Sequence, residues 1–205
     1  MTIRNRKIQN RKRMARVKSR SKNITGMILL GAGLILVGLT AMLMLPQKET
    51  VAGNLSPSLP RTIPVQVNYD APSLTLMSLD GKEHSLEEYR GQVVLVNLWA
   101  TWCPPCKAEM PTLDAYYKEH LDEGLMLIAI NDGDKMEDVV TFVDNYNLSF
   151  QVWLDIEHKA SINAFKTQNL PSSYVIDRDG IVRLSWVGEI EMETLEEYVT
   201  PLLAQ

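Results

Sequence analysis

The chain has 205 residues, two cysteines and a formal net charge of −4, with 45% hydrophobic residues. One domain with a modest extension fits that length, and two cysteines exclude the many-bridged scaffold of a small secreted protein. The charge is uneven: residues 1–22 carry ten Lys/Arg and no acid, while the remainder carries 11 bases against 25 acids.

The basic arm, residues 1–23, would suit nucleic acid, but its neighbour decides against that reading. Ile24 to Leu45 is uncharged over 22 residues, about 33 Å as a helix and enough to cross a hydrocarbon core of roughly 30 Å. It is longer than a signal-peptide core, and Thr50-Val-Ala52 is a weak cleavage site. An uncleaved transmembrane anchor is expected over 24–45. The positive-inside rule leaves the arm cytoplasmic against the lipid bilayer and everything after Leu45 outside, a single-pass cell-membrane protein. Residues 46–64 hold Pro46, Pro57, Pro60 and Pro64 among Gly, Ser and Asn and read as an extended linker.

The domain is expected over 65–205. Leu74 to Leu79 alternates at period two, Asp80-Gly81 is a turn, and a short strand near Glu83-His84 completes a hairpin. Ser85-Leu-Glu-Glu88 is a capping box that opens a short helix ended by Gly91. Val93 to Trp99 is a continuous apolar run with the composition of a buried parallel strand, and Lys107 to Tyr117 reads as the helix after it. Leu125 to Ile130 is a second buried strand, and Lys135 to Tyr146 is an amphipathic helix. Phe150 to Leu154 is strand-like, and Lys159 to Phe165 is one or two helical turns. Ser173 to Ile176 and Ile181 to Val187 flank a turn at Asp179-Gly180. A closing helix is expected over Met192 to Leu203.

Both cysteines lie between the first buried strand and its helix, as Cys103-Pro104-Pro105-Cys106. A helix N-terminus favours thiolate over thiol, so this is where a cysteine becomes reactive. Zinc would need about four ligands, and only His84, His120 and His158 remain, singly placed. A bridge closing so small a ring removes little unfolded-state entropy. A c-type haem attachment needs His where Lys107 stands. Redox chemistry remains: Cys103 as nucleophile with an accessible sulfur, Cys106 as the resolving thiol that completes a redox-active disulfide. No cofactor and no metal is called for. Glu109, three residues past Cys106, shares its helix face. From the residues alone it is as well read as a solvated helix glutamate as a functional acid.

Trp102-Cys-Pro-Pro-Cys106 after a Val/Leu-rich strand, with Pro111 in the following helix, resembles thioredoxin-fold proteins. Extended through Ala71-Pro-Ser-Leu-Thr-Leu, Asp80-Gly81 and Gly91-Gln-Val-Val-Leu-Val-Asn-Leu-Trp-Ala-Thr-Trp, the pattern is similar to the TlpA/ResA group of membrane-anchored thiol–disulfide oxidoreductases. The resemblance runs from about Val65 to the C-terminus. It implies an α/β thioredoxin fold, a central mixed sheet flanked by helices, with an N-terminal hairpin and an insertion before Pro171. It implies that Glu109 is an acid/base residue, the more so because Asn97 stands where thioredoxin has a buried aspartate. It implies that Leu170-Pro171 is a cis-proline loop whose Leu170 backbone receives an extended substrate, although Asn169 replaces the glycine that often begins it. Trp102 is expected at the rim, in contact with partners; Trp99, Trp153 and Trp186 in the core; and Asp134, in the loop after the second strand, is read as a solvated loop acid ahead of the alternative that it stands near the site.

The implied function is thiol–disulfide exchange with protein substrates, most simply as a reductant in cytochrome c maturation. The substrate there would be the oxidised Cys-x-x-Cys-His of apocytochrome c, and the electrons would come from a membrane thiol donor. A disulfide-forming oxidase would carry the same residues. A thiol-dependent peroxidase would need Pro-x-x-x-Thr-x-x-Cys, and Thr101 lies two residues before Cys103 instead of three. A Cu(I) chaperone on this fold would need Cys-x-x-x-Cys and a histidine near the loop that holds Leu170.

Overall fold

The computed structural model describes residues 61–205; the basic arm, the expected anchor and most of the expected linker lie outside them. Eight strands form one sheet in the order β1-β8-β7-β4-β5-β6-β2-β3. They are β1 (Val65–Asp70), β2 (Thr75–Ser78), β3 (Glu83–Ser85), β4 (Val93–Trp99), β5 (Leu125–Asp132), β6 (Gln151–Asp155), β7 (Ser172–Ile176) and β8 (Ile181–Val187). β4, β5 and β6 run parallel, and every other pairing is antiparallel. β4 lies at the centre between β5 and β7, and all seven of its residues are buried. That is why its sequence is a continuous apolar run and not an alternation.

The helices are α1 (Pro104–His120), α2 (Met136–Tyr146), α3 (Met192–Tyr198) and α4 (Thr200–Leu203), with a short 3-10 turn at Leu86–Tyr89 and a wide π-type turn at Lys159–Ala164. One core joins Leu95 and Trp99 of β4 to Met110 and Leu113 of α1, Phe142 of α2 and Leu195 of α3. The other joins Val94, Val96 and Leu98 to Leu76, Leu86, Trp153 and Phe165 on the opposite face. The period of two along β4 therefore aims Asn97 at the same side as Leu95 and Trp99, toward α1.

Most elements stand where the sequence puts them. The hairpin pairs as expected, with Leu76 opposite His84, and the Ser85–Glu88 capping box closes through the Ser85 N–H on Glu88 Oε1 at 3.0 Å. Three elements differ. The helix after the cysteines begins at Pro104, because proline fits the first helical turn, where an N–H has no partner. The closing helix is two pieces, since Pro201 has no N–H to continue the ladder. Ahead of the hairpin stands an unexpected strand, β1, paired antiparallel with β8. Its residues are almost all exposed, so it lacks the hydrophobic alternation that reveals a half-buried strand.

Candidate active site

β4 ends at Trp99, and the next turn delivers Cys103 as the N-cap of α1. Cys103 and Cys106 are disulfide-bonded, with their Cα atoms 5.3 Å apart. The Cys106 N–H points at Cys103 Sγ, 3.3 Å away. Pro104 and Pro105 give no N–H, so this donor and the helix dipole behind it are what α1 offers an anion at that sulfur. Cys103 is only 3% exposed and Cys106 fully buried. The expected accessible sulfur is thus nearly covered in the oxidised form, and the single edge open to attack belongs to Cys103.

The loop before Cys103 is held by an acid expected to be merely solvated. Asp134 Oδ2 accepts the Thr101 N–H at 2.6 Å and the Asn131 amide at 2.8 Å, while Asn131 Oδ1 accepts the Asp134 N–H at 3.1 Å. Its neighbour Gly133 lies against the His158 ring, whose Nδ1 is 2.9 Å from Asp132 Oδ1. Nothing in the Asn-Asp-Gly-Asp sequence says which of its acids turns toward the cysteines.

One turn beyond Cys106, Glu109 is fully buried. It occupies the stripe Cys106, Met110, Leu113, Tyr117, where an apolar residue would ordinarily sit. Asn97 Nδ2 donates to Glu109 Oε1 at 2.8 Å and to Ser173 Oγ at 3.0 Å. Asn97 Oδ1 and Glu109 Oε2 have no partner. Burial pushes the Glu109 carboxyl up to about 8; the Asn97 amide and the Ile190 backbone N–H oppose the rise, and the Glu189 charge adds to it. The solvated-helix reading of Glu109 is therefore excluded.

β7 brings the third component. The Leu170–Pro171 bond is cis, and Pro171 is buried where β7 begins beside the end of β4, with Ser172 opposite Leu98. Ser172 Oγ donates to Asn169 O at 2.7 Å, and the Gly188 N–H donates to Pro171 O at 2.9 Å. Leu170 is half-buried, and its backbone N–H and C=O make no hydrogen bond among the described residues. Trp102 is 67% exposed beside Cys103, whereas Trp99, Trp153 and Trp186 are core residues. Trp99 packs on Phe142 of α2, with ring centroids 4.6 Å apart.

The arrangement is therefore a dithiol/disulfide at a helix N-terminus, a buried proton-holding carboxyl beneath it and an open backbone edge beside it. Such a set exchanges disulfides and moves the accompanying proton.

Comparison with known proteins agrees. Residues 67–185 match the model of the AhpC/TSA family. The thiol-disulfide oxidoreductase ResA of Geobacillus thermodenitrificans is 33% identical over 135 residues, which span 66% of this chain and 77% of that protein. The thioredoxin-like protein YneN of Bacillus subtilis is 34% identical over 141 residues, 67% of this chain and 81% of that one. Among solved structures, a thiol:disulfide interchange protein of the thioredoxin family from Chlorobium tepidum superimposes with a TM-score of 0.60 at 26% identity, covering 68% of this chain and 99% of that chain.

Proposed function

This chain belongs to the AhpC/TSA family and is a thiol–disulfide oxidoreductase with a thioredoxin-like fold, and from that premise we propose that it is a membrane-anchored reductant of protein disulfides outside the cell membrane. In the reduced protein, the Cys103 thiolate attacks one sulfur of the substrate disulfide. A Cys103–substrate bond forms, the substrate S–S bond breaks, and the released sulfur takes a proton. Cys106 then loses its proton to Glu109 and attacks Cys103 Sγ. The Cys103–Cys106 bond closes and the second substrate sulfur leaves as a thiol. Two electrons have passed from the cysteine pair to the substrate.

The observation that carries this reading is the fully buried carboxyl of Glu109 one turn beyond Cys106, held by Asn97 and pushed upward in pKa by its burial. At neutral pH it holds a proton in the oxidised protein. When a membrane thiol donor reduces the pair, that proton is available for the departing Cys106 sulfur; during substrate reduction Glu109 takes it back. Leu170 offers its unpaired N–H and C=O to an extended segment, as in strand addition, with Pro171 as the floor and Trp102 as the rim. The Cys-x-x-Cys-His segment of apocytochrome c is the substrate the TlpA/ResA resemblance favours. Ile24 to Leu45 serves as the anchor, and residues 46–64 as the linker, whose end is held on the domain through Arg61 on Thr194 and Glu197.

Mixed-disulfide trapping tests the assignment. The full chain in mild detergent, reduced and mixed with an oxidised Cys-x-x-Cys-His peptide, should transfer two electrons per chain. Cys106→Ala should stall as a covalent adduct on Cys103, and Cys103→Ala should form none. An adduct on Cys106 in the Cys103→Ala protein would overturn the order of attack.

A further inference from the structure

The sheet carries an apolar patch that the chemistry above does not use. Val187 ends β8 opposite Ser172 of the cis-proline loop. On its other side β1 enters with Val65 opposite Ser185. Continued by two residues, that register sets Ile63 across from Val187; Thr62 Oγ1 lies within 3.5 Å of the position a Gly188 Cβ would take, as the register requires. Ile63, Val65 and Val187 are 60%, 61% and 54% exposed. They are positioned side chains, not a loose end. Arg61 Nε donates to Thr194 Oγ1 at 2.6 Å, Arg61 Nη2 to Glu197 Oε2 at 3.0 Å, and Pro64 is buried. The sequence gives no warning of this, since these residues resemble the end of a linker.

We infer that Ile63, Val65 and Val187 form a second contact for the polypeptide whose disulfide is exchanged, holding an apolar side chain carried on the same extended segment. The inference rests on the reading that the substrate backbone docks at Leu170. Continuity is the first argument. In the strand order β4-β7-β8-β1, Cys103 follows the end of β4, Leu170 precedes β7, Val187 ends β8 and Ile63 precedes β1, so the four gather at one end of the sheet. Neighbouring strands are about 4.8 Å apart, so the patch lies about 10–14 Å across the sheet from the end of β4 that leads to Cys103, or about three to four residues of extended chain. The apolar residue is therefore expected about three to four positions from the reacting cysteine. Charge is the second argument. The exposed acids Glu189 and Glu191 follow Val187, and the nearby cation Arg61 is engaged by Glu197. That edge suits an apolar residue with a Lys or Arg next to it, and opposes an acidic neighbour.

The test uses the reduced full chain in mild detergent with two synthetic peptides. Each has an oxidised Cys-x-x-Cys loop, and they differ only in Leu-Lys or Ser-Glu beginning four residues from the loop. Bis(2-hydroxyethyl) disulfide serves as a substrate too small to reach the patch. The native chain is expected to favour the Leu-Lys peptide about tenfold in kcat/KM, mainly through KM. Ile63→Ser with Val187→Ser should remove that preference and leave turnover of the small disulfide unchanged. No preference in the native chain, or the same preference in the variant, overturns the inference. Failure of the native chain to reduce the small disulfide would instead sink the reductase reading beneath it.

Discussion

Asn97 of β4 and Glu109 of α1 hold each other through a 2.8 Å hydrogen bond at a place that neither residue's surroundings open to water. The amide shares its donors between Glu109 and Ser173, so it satisfies one carboxyl oxygen and leaves Oε2 bare. A carboxylate so placed would be a poorly solvated charge, and the carboxyl instead keeps its proton.

Glu109→Gln should therefore alter the pH dependence of stability. The folded carboxyl titrates near 8 instead of near 4.5, so over that interval the folded state binds a proton that the unfolded chain has released. The stability of the oxidised protein is full below the lower value and falls as pH rises toward the upper one, by up to roughly 5 kcal/mol. Urea unfolding between pH 4 and pH 9 should show that fall in the native protein and a much flatter curve in the variant. Reduction of a disulfide peptide should slow by about 100-fold or more if the proton passes through this group.

Asn97→Ala should raise the Glu109 titration further. It removes the hydrogen bond that opposes the shift and orphans Ser173 Oγ as well. The cost in stability should be about 1–3 kcal/mol, and the inflection in the pH–rate profile should move upward. An inflection left in place would show that the amide does not tune the carboxyl.

Asp134→Ala should loosen the turn that delivers Cys103. Thr101 N–H and the Asn131 amide both lose their acceptor, a loss of about 1–3 kcal/mol. Asp134→Asn keeps an acceptor oxygen and should recover much of the peptide-reduction rate. Thermal unfolding and single-turnover kinetics on both variants distinguish support of the loop from a general loss of folding.

Gly133→Ala tests the far side of the same loop. The glycine has φ +86°, and a Cβ there would lie 2.5 Å from His158 Cε1. The substitution should cost about 1–3 kcal/mol. His158→Ala on the same background should restore only the part due to the clash, since the left-handed backbone remains.

His120 gives a dependence of its own. Burial depresses its pKa, yet hydrogen bonds to Glu196 and Glu123 carry it above the usual histidine value. The His120 Nε2–Glu196 contact of 3.0 Å ties the end of α1 to α3. The stability from this contact is fully present below about 6.5, the unfolded value, and is lost as pH rises through the folded one. His120→Gln should remove that component, read as a smaller decline in melting temperature across and above neutrality.

The fold was legible in proportion to burial. β4, buried along its whole length, announces itself as an apolar run; β1, exposed along almost all of its length, does not. The Cys-x-x-Cys pair was legible because its spacing has few chemical uses, and the cis bond at Pro171 followed from family resemblance. Glu109 was legible only by position, since the helix face says that it points inward, whereas its proton depends on what β4 places opposite. Asp134 was misread, and the role of Arg61 inside the expected linker was not legible, for one reason. A charged residue in a loop or tail is usually solvated, and only the tertiary structure supplies the Thr101 N–H and the Thr194–Glu197 pair that engage them.

The direction of electron flow is the centre of this account, and the midpoint potential of the Cys103–Cys106 pair tests it most directly. Equilibration of the full chain in detergent against glutathione and dithiothreitol buffers at pH 7, read by thiol alkylation, should place it more negative than about −220 mV, in the reducing range. A value near about −120 mV, at the oxidising extreme, would contradict it and make the protein a former of disulfides.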